Sequence, residues 1–508
     1  MGRDALSTAP AHATARTLAV GTFWTTAGQV VASVAGLAGT VVAARLVPPS
    51  EFGRMGIVTL VLAAIEAFTQ SGFEQALVQR RDSVDELLDV AWTWTVLRGL
   101  FIGALMCAAA PLLAHVYDDP LLVPVLCVSA LAPVLRGAAN VGVILYRRNL
   151  DFRAVFMVNV GAPVFRLAAL LAAAILLRNV WALVIGAVAE AFALLVASYV
   201  QHPLRPRFRW SWERLRPLVR YGRWVTAMSI LGFLVLKGDD LFVSKALGYE
   251  ALAFYQLAFG IASLPASNIT QVVSRVSFPA YARLQADPVE LRRAFVQVMR
   301  ATTLLALPVA TFLGTAAFLV PVVVGERWAP VVPLVQLLMI GGMLRSFLAL
   351  GGALFLGTGR PDLDVWMNLP RLVVLAILIA PFSWWWQVDG VALASIASVA
   401  ACFPVWIYGV RKQIGLGMAE VLRANALALV ASTLLGLVVV GASRIVVSSD
   451  VQATALAVAS VPAWLGLMWI LGRVTPLRLF DELQALRTVL RKPAPTERPE
   501  PTGSSSGG

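Results

Sequence analysis

The 508-residue chain is 59% hydrophobic and 14% charged, with a mean hydropathy of +0.79 and a formal net charge of +13. Soluble globular chains run at about 45–50% apolar and about 25% charged, so a soluble enzyme or binding module is excluded. Nucleic-acid binding is excluded as well, because the basic residues lie between apolar runs and not on one soluble face.

Residues 1–16 are polar, and the apolar run that follows is too long for the core of a signal peptide. Six spans are expected at roughly 17–44, 55–77, 90–114, 121–146, 155–177 and 180–201. Next comes 202–223, with Arg205, Arg207, Arg209, Arg214, Arg216, Arg220 and Arg223 against the single acid Glu213. Pro203, Pro206, Pro217 and that charge density argue against a spanning helix here. Trp210, Trp212 and Leu215 suit a cytoplasmic linker lying on anionic headgroups. Eight further spans are expected at roughly 224–247, 251–275, 301–324, 329–356, 363–382, 389–410, 421–442 and 452–472. A short amphipathic helix over 481–490 and a Pro/Ser/Gly-rich disordered tail end the chain.

The sequence thus predicts an all-α integral membrane protein of about fourteen transmembrane helices. Its domains are a six-helix bundle (1–201), the basic linker (202–223), a second six-helix bundle (224–410), two additional helices (411–473) and a cytoplasmic tail (474–508). With a cytoplasmic N-terminus, the inside segments collect most of the 41 Lys and Arg residues. The outside loops hold only Arg45, Arg54, Arg178, Lys245, Arg327 and Arg444. That asymmetry predicts both termini inside.

An internal repeat supports two related halves. The turn after the first span runs from Arg45 through Pro48, Glu51 and Phe52, and the turn after the seventh runs from Lys245 through Gly248, Glu250 and Phe254. Each has a base, a Pro or Gly turn, an acid and an apolar helix start. Gly21 and Gly222 similarly open the two halves. Such repeats are usual in alternating-access transporters.

Charges inside spans are costly and mark cavities or partner helices. The bases Arg98, Arg136, Arg166, Lys237 and Arg345 are candidates for a cationic, hydrated cavity receiving an anionic headgroup, because guanidinium forks bond phosphate oxygens bidentately. Glu66, Glu190, Asp239 and Asp240 are candidates for charge balance or for a coupling ion, with Glu74 near the end of the second span. The plainer reading is interhelical salt bridging, with Asp239 and Asp240 packing on Lys237 or Arg98. Trp384, Trp385 and Trp386 read as interfacial anchors. Pro265 and Pro308 are the expected hinges. Cys107, Cys127 and Cys402, and His12, His115 and His202, lack metal-ligand spacing, so neither a metal nor a bound cofactor is expected. No GxxxxGK[ST], HExxH or GxSxG motif occurs.

Residues 43–82 resemble the opening signature of bacterial polysaccharide exporters, the Wzx-type flippases of the multidrug/oligosaccharidyl-lipid/polysaccharide superfamily. The resemblance rests on Arg45, Pro48, Glu51, Phe52, Gly53, Gly72, Gln79 and Arg80. It continues through Arg148–Phe152, Asp240–Gly248, Phe278–Leu284, Gly325–Ala329 and Gly357–Arg360. It implies two pseudo-symmetric bundles in a V around a central cavity, in the bacterial cytoplasmic membrane. It also implies transfer of a polyprenyl-diphosphate-linked oligosaccharide to the outer leaflet, coupled to H+ or Na+ and working beside polysaccharide-synthesis proteins. Residues 17–44 carry no charge, unlike flippases of the peptidoglycan precursor. This favours a capsule, exopolysaccharide, O-antigen or teichuronic-acid-like glycan. The rival readings are a multidrug antiporter, which needs a cavity rich in acids and aromatics, and a membrane glycan polymerase or ligase, which needs a large outer loop.

Overall fold

The computed structural model describes residues 15–70, 85–148, 152–446 and 466. The sequence expectations for Gly72, Glu74, Gln79, Arg80, Asn149 to Asp151, the fourteenth span, the helix at 481–490 and the tail lie outside the described residues. Every element among the described residues is helical. Eight of these stretches are long and apolar enough to cross a bilayer.

The helix ends follow local chemistry. α1 (Ala15–Leu46) stops before the Pro48–Pro49 pair, and Pro49 opens α2 (Pro49–Thr69), where its missing N–H costs nothing. α3 spans Asp85–Val116. The single fourth span expected over 121–146 is instead broken into α4 (Leu122–Ser129), α5 (Leu131–Gly137) and α6 (Val143–Arg148). Pro133 cannot donate the bond that would carry the helix across Ala130. α7 (Phe152–Leu177) is followed by α8 (Val180–Gln201), whose cap Asn179 accepts the Trp181 N–H at 3.1 Å.

The basic linker is half of what was expected. Residues 203–211 are extended, but α9 runs unbroken from Trp212 to Ala246, carrying the linker's second half into the seventh span. The side chains of 212–224 lie outside the described residues. The extended strap is pinned at its backbone: Arg207 N–H donates to Asp89 (3.0 Å), Arg209 N–H to Thr93 (2.9 Å), and Asn140 to the Leu204 carbonyl (2.8 Å). Phe208 and Trp210 stay exposed.

α10 (Gly248–Leu264) passes through a π-helical turn at Pro265–Thr270 into α11 (Gln271–Leu284). Pro265 therefore coincides with a departure from α geometry, as proline is apt to cause. Pro308 sits buried inside α12 (Pro288–Thr315), which remains one helix. α13 (Leu319–Val324), α14 (Val331–Gly357), α15 (Pro361–Ala400), α16 (Phe403–Ile414) and α17 (Met418–Val446) complete the described chain. α15 is two helices joined at Gln387, whose φ of 49° and ψ of −124° break the run. The sequence placed that break at 382–389. Trp384, Trp385 and Trp386 precede it and are exposed.

Two compact units result, residues 1–258 with 320–334 and 379–391, and residues 259–319 with 335–378 and 392–508. In the first, α7 packs on α1 and α8, and α9, expected in the second bundle, packs on α2. Gly99 of α3 and Gly137 of α5 bring those helices into backbone contact, so that a methyl on either would overlap a carbonyl of the other helix. In the second, α12 packs along α17 around a Thr303–Asn425 hydrogen bond of 2.5 Å. Tyr281, Phe295, Phe355 and Trp406 fill its core.

Candidate functional site

The sequence-predicted charges fall into separate groups. Within the first unit, α2 ends at Thr69, leaving carbonyls that its own helix cannot satisfy. Arg98 of α3 occupies that end, donating to the Gln70 side chain (3.1 Å), Thr69 Oγ1 (3.4 Å) and the Glu66 carbonyl (3.5 Å). Arg136 of α5 approaches the Glu66 carboxylate at 3.8 Å, with the two side chains 40% and 42% exposed. Thr226 of α9 donates to the Gln70 carbonyl (2.5 Å). Arg98 and Arg136 thus converge on one helix end, and the acid between them is loosely held.

Lys237, Asp239 and Asp240 form a second group. Lys237 Nζ lies 2.8 Å from Asp240, which also accepts from Gln256 (3.1 Å). Asp239 accepts from Tyr255 (2.6 Å) and from the Asp240 N–H (3.0 Å). Both carboxylates are 2% exposed. Two adjacent buried acids therefore stand beside one ammonium, which bonds Asp240 while Asp239 is held by neutral donors, an arrangement with room for a further positive charge. Arg345 belongs to the second unit, where its guanidinium lies 4.6 Å over the Phe259 ring.

Arg166 of α7 and Glu190 of α8 make a third group, 3.1 Å apart. They face a cavity of about 270 Å³ against α1. Gln29, Ser33, Gly36 and Thr40 line its α1 wall. This wall carries no charge, so charge patterning in the sequence does not mark it. The usable signal was the spacing of 4, 3 and 4 residues, which puts these uncharged polar and small residues on one helix face.

A fourth group was visible only as the repeat. Glu51 and Arg54 pair at 2.7 Å, and Arg54 pairs with Asp119 at 2.7 Å. Asp119 also accepts from Tyr249 (2.9 Å), while Glu51 accepts the Val180 N–H at the start of α8 (3.0 Å). Lys245 donates to the Val116 carbonyl. Arg45 donates to the carbonyls of Val322 (2.8 Å) and Val323 (2.7 Å). Trp328 is buried edge-on against Phe52 and Phe254 and donates to the Ala44 carbonyl (2.9 Å). The two repeat signatures meet at Gly53, where a methyl would overlap the Tyr249 carbonyl. Burial works against the Asp119 charge, but the bonds from Arg54 and Tyr249 prevail and hold its carboxyl below the ordinary carboxylate range.

Among the described residues no group of three His, Cys, Asp or Glu side chains could hold a metal ion.

Three comparisons bear on this arrangement. The sequence profile of a family described as "Polysaccharide biosynthesis protein" matches residues 42–333. The lipopolysaccharide biosynthesis protein WzxC of Escherichia coli is 26% identical over 373 residues, 71% of this chain and 74% of the relative. The succinoglycan biosynthesis transport protein ExoT of Rhizobium meliloti is 24% identical over 346 residues, 66% of this chain and 68% of the relative. Among solved structures, the lipid II flippase MurJ in an inward closed conformation superposes with a TM-score of 0.68 at 11% identity. That match covers 89% of this chain and 99% of MurJ, and it speaks to the fold alone.

Proposed function

The chain belongs to the polysaccharide biosynthesis protein family, and from that premise we propose that it is a transporter that flips a polyprenyl-diphosphate-linked oligosaccharide across the bilayer. The observation that carries this reading is the pair Arg98 and Arg136, converging on the open end of α2 while Glu66 holds Arg136 no closer than 3.8 Å. A diphosphate can replace such a loosely held carboxylate, and two guanidiniums there would offset the cost of bringing it about 30 Å through hydrocarbon. The names of WzxC and ExoT, which place them in lipopolysaccharide biosynthesis and succinoglycan transport, support a glycan-bearing substrate.

In this reading the protein sits in the bacterial cytoplasmic membrane with both termini inside. The turns at 45–54, 116–121, 178–180, 245–250 and 322–329, all expected outside, gather at one end of the first unit. Transport proceeds by alternating access, and outward opening has to undo some of that gathered network. The Asp239–Asp240 pair is the place for a coupling proton or Na+, since binding one would relieve the excess negative charge beside Lys237. The glycan belongs to capsule, exopolysaccharide, O-antigen or a teichuronic-acid-like polymer, and synthesis proteins are the expected partners.

The test is deletion of the gene, followed by identification of lipid-linked sugars on each leaflet. The expected result is a lipid-linked oligosaccharide that accumulates on the cytoplasmic leaflet. Unchanged export with no accumulated intermediate overturns the reading.

A further inference from the structure

The slot between α1, α7 and α8 is chemically unlike the other charged groups. Among the described residues its lining includes only two ionisable side chains, Arg166 and Glu190, and at 3.1 Å they neutralise each other. Both remain accessible, 48% and 28% exposed. A phosphate entering here would meet the Glu190 carboxylate, and a cation would meet Arg166. A hydrocarbon tail would leave Gln29, Ser33 and the ion pair facing a partner that cannot hydrogen-bond.

The groups that remain suit a neutral ligand rich in hydroxyls. Gln29 offers both donors and acceptors, and Ser33 can do either. Thr40 gives its proton to the Gly36 carbonyl at 3.0 Å, so its oxygen is presented as an acceptor. An Arg–Glu pair supplies donors and acceptors side by side, matching adjacent hydroxyls on one ring. Phe52, half-buried at one end of the lining, adds an apolar surface suited to the C–H face of a pyranose. From Gln29 to Thr40 the wall runs roughly 16 Å along α1 at 1.5 Å per residue. The volume of about 270 Å³ lies just under the range of roughly 300–1,000 Å³ for small-molecule pockets. It therefore holds a segment of an oligosaccharide, not the whole.

We infer that this slot is a sugar subsite, binding uncharged hexopyranose units of the transported glycan through Gln29, Ser33, Thr40 and the Arg166–Glu190 pair. The inference rests on the flippase reading and adds to it a division of labour. The diphosphate is held at Arg98 and Arg136, and the sugars are held at α1. Specificity for one glycan over another is then written into an uncharged helix face.

The experiment uses the full chain in lipid nanodiscs and two probes. One is the lipid-linked glycan extracted from a strain deleted for this gene, and the other is undecaprenyl diphosphate without sugar. Native mass spectrometry reads the affinity of each. Two variants are compared with the unaltered protein. The triple change Gln29→Leu, Ser33→Val, Thr40→Val removes the polar wall. Gly36→Leu fills the slot, and a side chain there starts in open space with no atom within 4 Å of its Cβ, so it is compatible with folding.

The expected result is that the unaltered protein prefers the glycan-bearing lipid by at least tenfold. Either folded variant should bring that ratio within about twofold of one while binding undecaprenyl diphosphate as before. A tenfold preference that survives both changes overturns the subsite, and so does its absence from the unaltered protein. If neither lipid binds the unaltered protein, the flippase reading itself falls.

Discussion

Two charged regions of the first unit differ in how firmly they are tied. In the turn network, the Arg54 and Asp119 side chains are 15% and 12% exposed and bonded at 2.7 Å, with Tyr249 and the Leu121 N–H also on Asp119. At the α2 end, Arg136 and Glu66 are 40% and 42% exposed and stand 3.8 Å apart. The first arrangement gives each charge more than one partner and leaves it little accessible surface. The second leaves one charge half open. A part-buried, multiply bonded pair holds structure in place, whereas a loose pair within a membrane span is retained for something that comes and goes.

The strongest way to break this contrast is Arg54→Ala. It strands Glu51 and Asp119 without their cation, at a cost of about 3–5 kcal/mol. The expected outcome is a large drop in melting temperature or loss of folded protein, read by thermal unfolding in detergent. Arg54→Lys should recover only part, because one ammonium cannot span both carboxylates as the guanidinium fork does. Stability unchanged in Arg54→Ala would show that the turn network is no more structural than the α2 end.

The complementary change is Arg98→Ala with Arg136→Ala. Export of the lipid-linked glycan should fall tenfold or more while protein abundance in the membrane stays near normal. Leaflet-resolved analysis of the intermediate and an immunoblot together decide it. If the protein disappears from the membrane instead, these arginines belong with the structural class.

A smaller effect sharpens the contrast at the other end of the unit. His202 accepts the Leu204 N–H at Nδ1 (3.1 Å) and lies edge-on to Tyr146. Burial, and then the positive Arg205 nearby, pushes His202 below its ordinary value of about 6.5. As pH falls, the unfolded chain therefore takes up this proton before the folded chain does. Its contribution to stability is complete above about pH 6.5 and is lost as pH drops from there toward the depressed folded value. The melting temperature should decline between pH 7.5 and 5.5. His202→Asn, whose oxygen can stand in for Nδ1, should flatten that decline.

The smallest effect belongs to Arg360 and Asp362, an exposed pair at 2.8 Å. Arg360→Ala should leave the melting temperature unchanged within error, as solvent-screened pairs generally do.

Much of this was legible in the sequence. Basic residues flanking apolar runs predicted which turns share a side, and Arg45, Arg54, Lys245 and Trp328 do gather at one end of the first unit. The repeated turns at 45–55 and 245–255 were readable because each needs a base, a turn residue and an acid in order. That they touch at Gly53 was not readable, since only the close approach of Tyr249 shows it. The broken fourth span escaped because hydropathy is continuous across Pro133, and hydropathy does not register a missing N–H. The extension of α9 back to Trp212 escaped for the converse reason: arginines and Pro217 argued against a span, and this is a helix all the same. The polar face of α1 was written in spacing and not in charge. Partners such as Glu66 for Arg136 depend on which helices become neighbours, and that is set by packing.

Gly53 carries a consequence for inheritance. Because a single added carbon would drive into the Tyr249 carbonyl, the turn at 45–55 can keep its form without a glycine only if the backbone of the turn at 245–255 shifts as well. A chimera that grafts one copy from a relative should therefore succeed only when both travel together.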